Sequence, residues 1–205
     1  MFSDRGMLHI NSNDYCDIDL CCLENFCNNM RKIFGMIECI NIKVCETQKE
    51  FESAVGRRLP FWVVGFTHNG RIYLKLPEKI RQLGLDFETV CKHELVHIFV
   101  NKFSSNCPLW LNEGIAQCLS CNKFIKDERC DVSLRNPYYL TYESGLYIYS
   151  RLIVKVLFEN YGVVDIINRL KTCENFEEDS ILGSKSIEML VKKNLRKGDV
   201  LSEKF

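Results

Sequence analysis

The chain has 205 residues, 46% hydrophobic and 26% charged, which is enough apolar material for a core in one domain or in two lobes sharing a cleft. Lys plus Arg and Asp plus Glu both number 27, so the formal net charge is zero and no bulk field draws the chain to nucleic acid or to an anionic membrane. The opening Met1-Phe2-Ser3-Asp4-Arg5-Gly6 has no apolar signal core, and Leu152 to Phe158 is broken by Lys155 and too short to span a bilayer. The expectation is a cytoplasmic protein with no secretory signal and no membrane partner.

In chain order, a strand is predicted near Met7 to Asn11, then a helix from Ile18 to Phe34 stopped by Gly35. A strand over Ile40 to Cys45 and a helix over Gln48 to Val55, ended by Gly56, follow. Next comes a hairpin: Phe61 to Phe66 as one arm, Thr67-His68-Asn69-Gly70 as the turn, and Arg71 to Leu76 as the other arm. Asn-Gly supplies the positive φ angles a tight turn needs. In the second arm Ile72, Leu74 and Leu76 share one face, and Arg71, Tyr73 and Lys75 the other.

From Asp86 the periodicity becomes helical. Asp86 is placed to cap a helix over Phe87 to Phe103, with Glu88 in its first turn, where the dipole favours a carboxylate. A second helix begins near Trp110 after a loop at Ser104 to Pro108. Others run over Gly145 to Asn160, stopping at Gly162, over Val163 to Lys171 and over Ser184 to Lys197. The pattern implies an α+β protein: an α/β lobe over residues 1–85 with a mixed sheet and edge-strand hairpin, and a helical lobe over 86–205, with a cleft between them.

Twelve cysteines admit two readings, disulfides or reduced thiols used as small apolar groups, and the missing signal favours thiols. Cys118-x-x-Cys121, with Cys107 and Cys130 nearby, has one tight pair where four-cysteine zinc sites carry two, so a second, structural zinc site is not expected.

His93-Glu94-Leu95-Val96-His97 is an HExxH segment inside a predicted helix. Residues four apart project from one helix face, so the two imidazoles can converge on one ion. Glu94 then lies beside that ion and can take a proton from water. A catalytic zinc needs a third protein ligand, and Trp110-Leu111-Asn112-Glu113-Gly114 offers Glu113 early on the next helix. The competing reading of Glu113 is a solvated first-turn carboxylate.

HExxH followed by WLNEG resembles the gluzincin metallopeptidases, in particular the aminopeptidase N-like and peptidase MA-like branch. The likeness covers Phe61 to Gly162, with WLNEG its most specific element. It implies a small zincin-like fold, a single metallopeptidase domain over 1–205, and one Zn2+ per chain held by His93, His97 and Glu113, with Glu94 as catalytic base. Thr141-Tyr142-Glu143-Ser144-Gly145 is similar to the family's YEKG segment, whose tyrosine stabilises the oxyanion; the matching position is Tyr142. The hairpin resembles the edge strand along which the family's substrates lie.

A zinc peptidase needs a donor for the negative oxygen of its tetrahedral intermediate. The four histidines are His9, His68, His93 and His97, and none follows His97, so the donor is a tyrosine, an arginine or a backbone N–H. Tyr138, Tyr139, Tyr142, Tyr147 and Tyr149 crowd the region, and for each of them core packing is the competing reading. Arg135 and Arg151 are further candidates. The loop before the third ligand is shorter than in thermolysin or aminopeptidase N, and Gln117 stands where thermolysin-like enzymes carry an aspartate. No GxMEN segment is present to hold a free N-terminus, so endopeptidase action is expected over aminopeptidase action.

The expected partner is thus a peptide or protein substrate, added as an extended strand near Arg71 to Leu76, with Arg71 and Lys75 on the solvent side favouring acidic positions. Two alternatives stay open: a dedicated regulatory or maturation peptidase with one protein target, and a non-catalytic binding module on the same fold.

Overall fold

A computed structural model describes residues 8–11, 18–120, 136–142 and 145–196. Among these the fold is α+β, with one small mixed sheet of four strands and eight α-helices. The chain divides into two compact units: Met1–Phe103 with Leu119–Cys121, and Ser104–Cys118 with Asn122–Phe205.

The first unit contains β1 (Leu8–Asn11), α1 (Leu20–Phe34), β2 (Ile40–Cys45), α2 (Gln48–Val55), β3 (Gly65–His68), β4 (Arg71–Lys75), α3 (Pro77–Gln82) and α4 (Phe87–Phe103). Strand order is β1-β2-β4-β3; β1, β2 and β4 run parallel and β3 antiparallel to β4. Alternation buries Ile40, Ile42 and Val44 of β2 and Ile72 and Leu74 of β4. α4 packs on β3, β4 and α1, and Phe34 meets Phe99 at 5.7 Å between ring centroids. The cap predicted at Asp86 is made: its carboxylate accepts from the Thr89 N–H at 2.8 Å. Thr47, not singled out in the sequence, caps α2 in the same way through the Glu50 N–H at 3.1 Å. Gly56, at φ +74, closes α2 in the left-handed region.

The hairpin differs from its predicted form in two ways. Its turn is only Asn69-Gly70, both at positive φ, so Thr67 and His68 belong to the strand; the first arm starts at Gly65, not Phe61. The second correction concerns the edge. β4 lies inside the sheet, with β2 on one side and β3 on the other, so Arg71 to Leu76 offers no free edge to a substrate strand. That edge belongs to β3. Lys75 N–H donates to the Val64 carbonyl at 2.9 Å, which makes 64/75, 66/73 and 68/71 the hydrogen-bonded pairs. The main-chain groups of Gly65 and Thr67 therefore point away from β4. Nor is Lys75 a free surface cation: its ammonium donates to the Phe61 carbonyl at 2.8 Å and sits 5.4 Å from the Phe51 ring centroid, and burial lowers its pKa.

α3 was not legible in the sequence. Six residues hold under two turns, too few for a period, although Pro77 at its first position is a start signal.

The second unit contains α5 (Leu109–Ser120), a 3-10 turn at Pro137–Tyr139, α6 (Leu146–Tyr161), α7 (Val163–Thr172) and α8 (Ser184–Arg196). Its core includes Leu111, Ile115, Val154, Leu157, Ile166 and Leu182. Buried Trp110 meets Tyr138 edge-on at 5.8 Å, and the Tyr138 hydroxyl lies 2.6 Å and 2.9 Å from the carbonyls of Phe176 and Leu182. Tyr138 is thus a packing residue that fastens the 3-10 turn to the loop before α8. In that loop Asp179 accepts from Arg169 at 2.6 Å and from the N–H groups of Ile181 and Leu182 at 2.8 Å each.

None of the nine described cysteines forms a disulfide. Burial pushes the Cys107 thiol well up and the Cys118 thiol to about 12, so both stay protonated; Cys121 and Cys130 lie outside the described residues. No helix among the described residues is long and apolar enough to cross a membrane.

Candidate metal centre

His93 and His97 sit one turn apart on α4, where i,i+4 geometry stacks side chains on one face. Their Nε2 atoms are 3.0 Å apart and the rings nearly perpendicular, at 89°. Two ligands tetrahedrally disposed at zinc–nitrogen distances lie about 3.3 Å apart, close to this spacing. Local helix geometry is enough to bring the two rings together. On the far side of the same helix Lys92 pairs with Glu88, whose carboxyl is held below its ordinary value first by the Cys22 thiol and then by Lys92. That cation is therefore matched by an anion within its own turn of helix.

Glu94 is buried, at 7% exposure, beneath β3. Its Oε2 accepts from the Thr67 hydroxyl at 2.8 Å. Gly65 supplies the room: a Cβ there would fall 2.9 Å from both Cγ and Oε1 of Glu94. Neither contact was foreseen, since the hairpin carries no local signal of what lies 27 residues further on.

Glu113, on the second turn of α5, is buried at 5% exposure, which removes its reading as a solvated first-turn carboxylate. Its Oε1 accepts from the Tyr142 hydroxyl at 3.2 Å. Of the five candidate tyrosines, Tyr142 donates to a proposed ligand, while Tyr138 is committed to packing. Tyr147 lies 5.3 Å from the Tyr142 ring, and its carbonyl accepts from Gln117 at 3.0 Å. Glu143, Ser144 and Arg135 fall outside the described residues.

Gly114, directly after Glu113, also has a reason to be glycine. A Cβ there would fall 2.4 Å from the Ser150 carbonyl oxygen and 2.5 Å from Val154 Cγ2 on α6. Gly114 thus lies where α5 passes close to α6, one residue after Glu113.

One ligand atom each from His93, His97 and Glu113 lies within 4.8 Å of the others, so this cluster can bind a metal ion. The donor set of two imidazole nitrogens and one carboxylate oxygen suits a divalent transition metal and leaves coordination positions open. Comparison with protein-family models, with curated proteins and with solved structures returned no match.

Proposed function

We propose that this chain is a zinc-dependent peptidase of gluzincin type, cleaving internal peptide bonds in an extended substrate. The observation that carries the reading is the His93–His97–Glu113 cluster with a further buried carboxylate, Glu94, next to its first ligand in the chain. Two histidines and one carboxylate also suit non-haem iron. Glu94 favours hydrolysis, because a zinc hydrolase needs a proton acceptor that is not itself a ligand.

When bound, zinc supplies Lewis acidity, polarising a carbonyl oxygen and making water easier to deprotonate. Glu94 accepts the water proton and passes it to the leaving amine. The Tyr142 hydroxyl, now on Glu113, is the donor for the oxyanion as charge develops there. The peptide pairs with the outward main-chain groups of Gly65 and Thr67 on β3, a role first expected of β4. Absence of a GxMEN segment supports internal cleavage.

Elemental analysis of protein purified without added metal tests the centre. Near-stoichiometric zinc in wild type and a clear loss in Glu113→Ala are expected; iron in its place, or no metal and no uptake, refutes the reading. Glu94→Gln is expected to keep zinc and lose nearly all turnover on a peptide mixture, and retained turnover removes Glu94 as base.

A further inference from the structure

We infer that Thr67 is the positioning residue of the catalytic base: its hydroxyl holds one oxygen of Glu94 and leaves the other, over Gly65, free to face water. The inference rests on the peptidase reading and adds a residue to its site.

The Thr67 hydroxyl has one proton and two acceptors in reach, Glu94 Oε2 at 2.8 Å and the Glu94 carbonyl at 3.2 Å. The carboxylate wins on both counts: it is nearer, and a bond to an ionised acceptor is roughly twice as strong as a neutral one. Thr67 is itself held firmly. It lies opposite Ile72 in the β3–β4 ladder, and a β-branched side chain has few χ1 states to lose. Glu94 Oε1 lies on the side of Gly65, where a Cβ would come within 2.9 Å. A carboxylate fixed through one oxygen, with a glycine and no Cβ against the other, can keep that second oxygen in one place as a proton acceptor, whereas a freely rotating one would present its lone pairs only part of the time.

The same residue faces two ways. Its main-chain groups point away from β4, off the β3 edge of the sheet as described, while its side chain reaches Glu94. A peptide that pairs with β3 would therefore stiffen the strand that orients the base. Substrate docking and base alignment are linked through Thr67.

The test compares zinc-loaded wild type, Thr67→Val and Thr67→Ser, with Thr67→Ala as a second hydroxyl-free variant should valine prevent folding. Two readouts are taken: kcat and KM on a peptide mixture, and the carboxyl carbon resonance of Glu94, assigned by its loss in Glu94→Gln. The valine variant is expected to keep wild-type zinc and KM while kcat falls about 10- to 100-fold, as when a group orienting a site residue is removed. Serine is expected to restore most of it. The Glu94 resonance should move in the valine variant and return in the serine variant. Unchanged kcat, a loss confined to KM, or an unmoved resonance overturns the inference. If wild type hydrolyses nothing, the peptidase reading fails, and the resonance still decides whether Thr67 holds Glu94.

Discussion

Gly114→Ala sets two opposed effects against each other. In a helix interior alanine is favoured over glycine by about 1 kcal/mol. Against this, the new methyl would sit 2.4 Å from the Ser150 carbonyl oxygen, 2.5 Å from Val154 Cγ2 and 2.8 Å from the Ser150 carbonyl carbon, where ordinary contact begins at 3.4 Å. Two of the three obstacles are backbone, so no rotamer change relieves them, and α5 and α6 must separate by about 1 Å. Overpacking of this kind costs about 1–3 kcal/mol, and a backbone obstacle puts this case at the upper end. The net expectation is a loss of about 2 kcal/mol, or a Tm lower by roughly 4–8 °C for a chain of this size. Weaker zinc retention should accompany it, since Glu113 is the preceding residue. Urea and thermal unfolding with metal analysis read all three. A variant as stable as wild type, or more so, would refute the packing argument and leave propensity in charge. Ser150→Ala is the companion measurement. Its hydroxyl is buried without a hydrogen-bond partner among the described residues, so its removal should stabilise by about 1 kcal/mol. It cannot rescue Gly114→Ala, because the clash is with the Ser150 main chain.

Two further outcomes are expected. Gly65→Ala places a methyl against Glu94 Cγ and Oε1, so zinc should be retained while kcat falls by about 10-fold or more; full turnover would show that the base tolerates crowding. Asp179 is pushed up by burial but held below 3.8 on balance by Arg169 and the N–H groups of Leu182 and Ile181. Its contribution is therefore complete above 3.8 and is lost as the pH falls through its lowered folded value. Asp179→Asn should cost about 2 kcal/mol near neutrality, and the stability curves of variant and wild type should converge below pH 3.8. Parallel curves would refute the assignment.

Much of this protein is readable from neighbours in the chain. The spans of β2, α2 and α4 match their predicted ranges, because period, cap and stop residues all act within a turn or two. The convergence of His93 and His97 belongs to the same class: residues one helical turn apart share a face, and their nitrogens lie 3.0 Å apart. Glu113 and Tyr142 were reached differently, from what a catalytic zinc site requires together with a motif likeness, and their proximity at 3.2 Å is a fact of packing.

Tertiary structure decided the rest. Alternation in Arg71 to Lys75 is the same for an inner strand as for an outer one, so only the parallel pairing of β2 with β4 shows that β3, not β4, is the edge strand of the hairpin among the described residues. Thr67 and Gly65 read as turn and strand residues until α4 passes beneath them with Glu94. Gly114 reads as a weak helix position until α6 comes within 2.4 Å of where its Cβ would be. Periodicity records which face of an element is buried. It does not record what that face is buried against, because the partner is brought there by a distant stretch of chain.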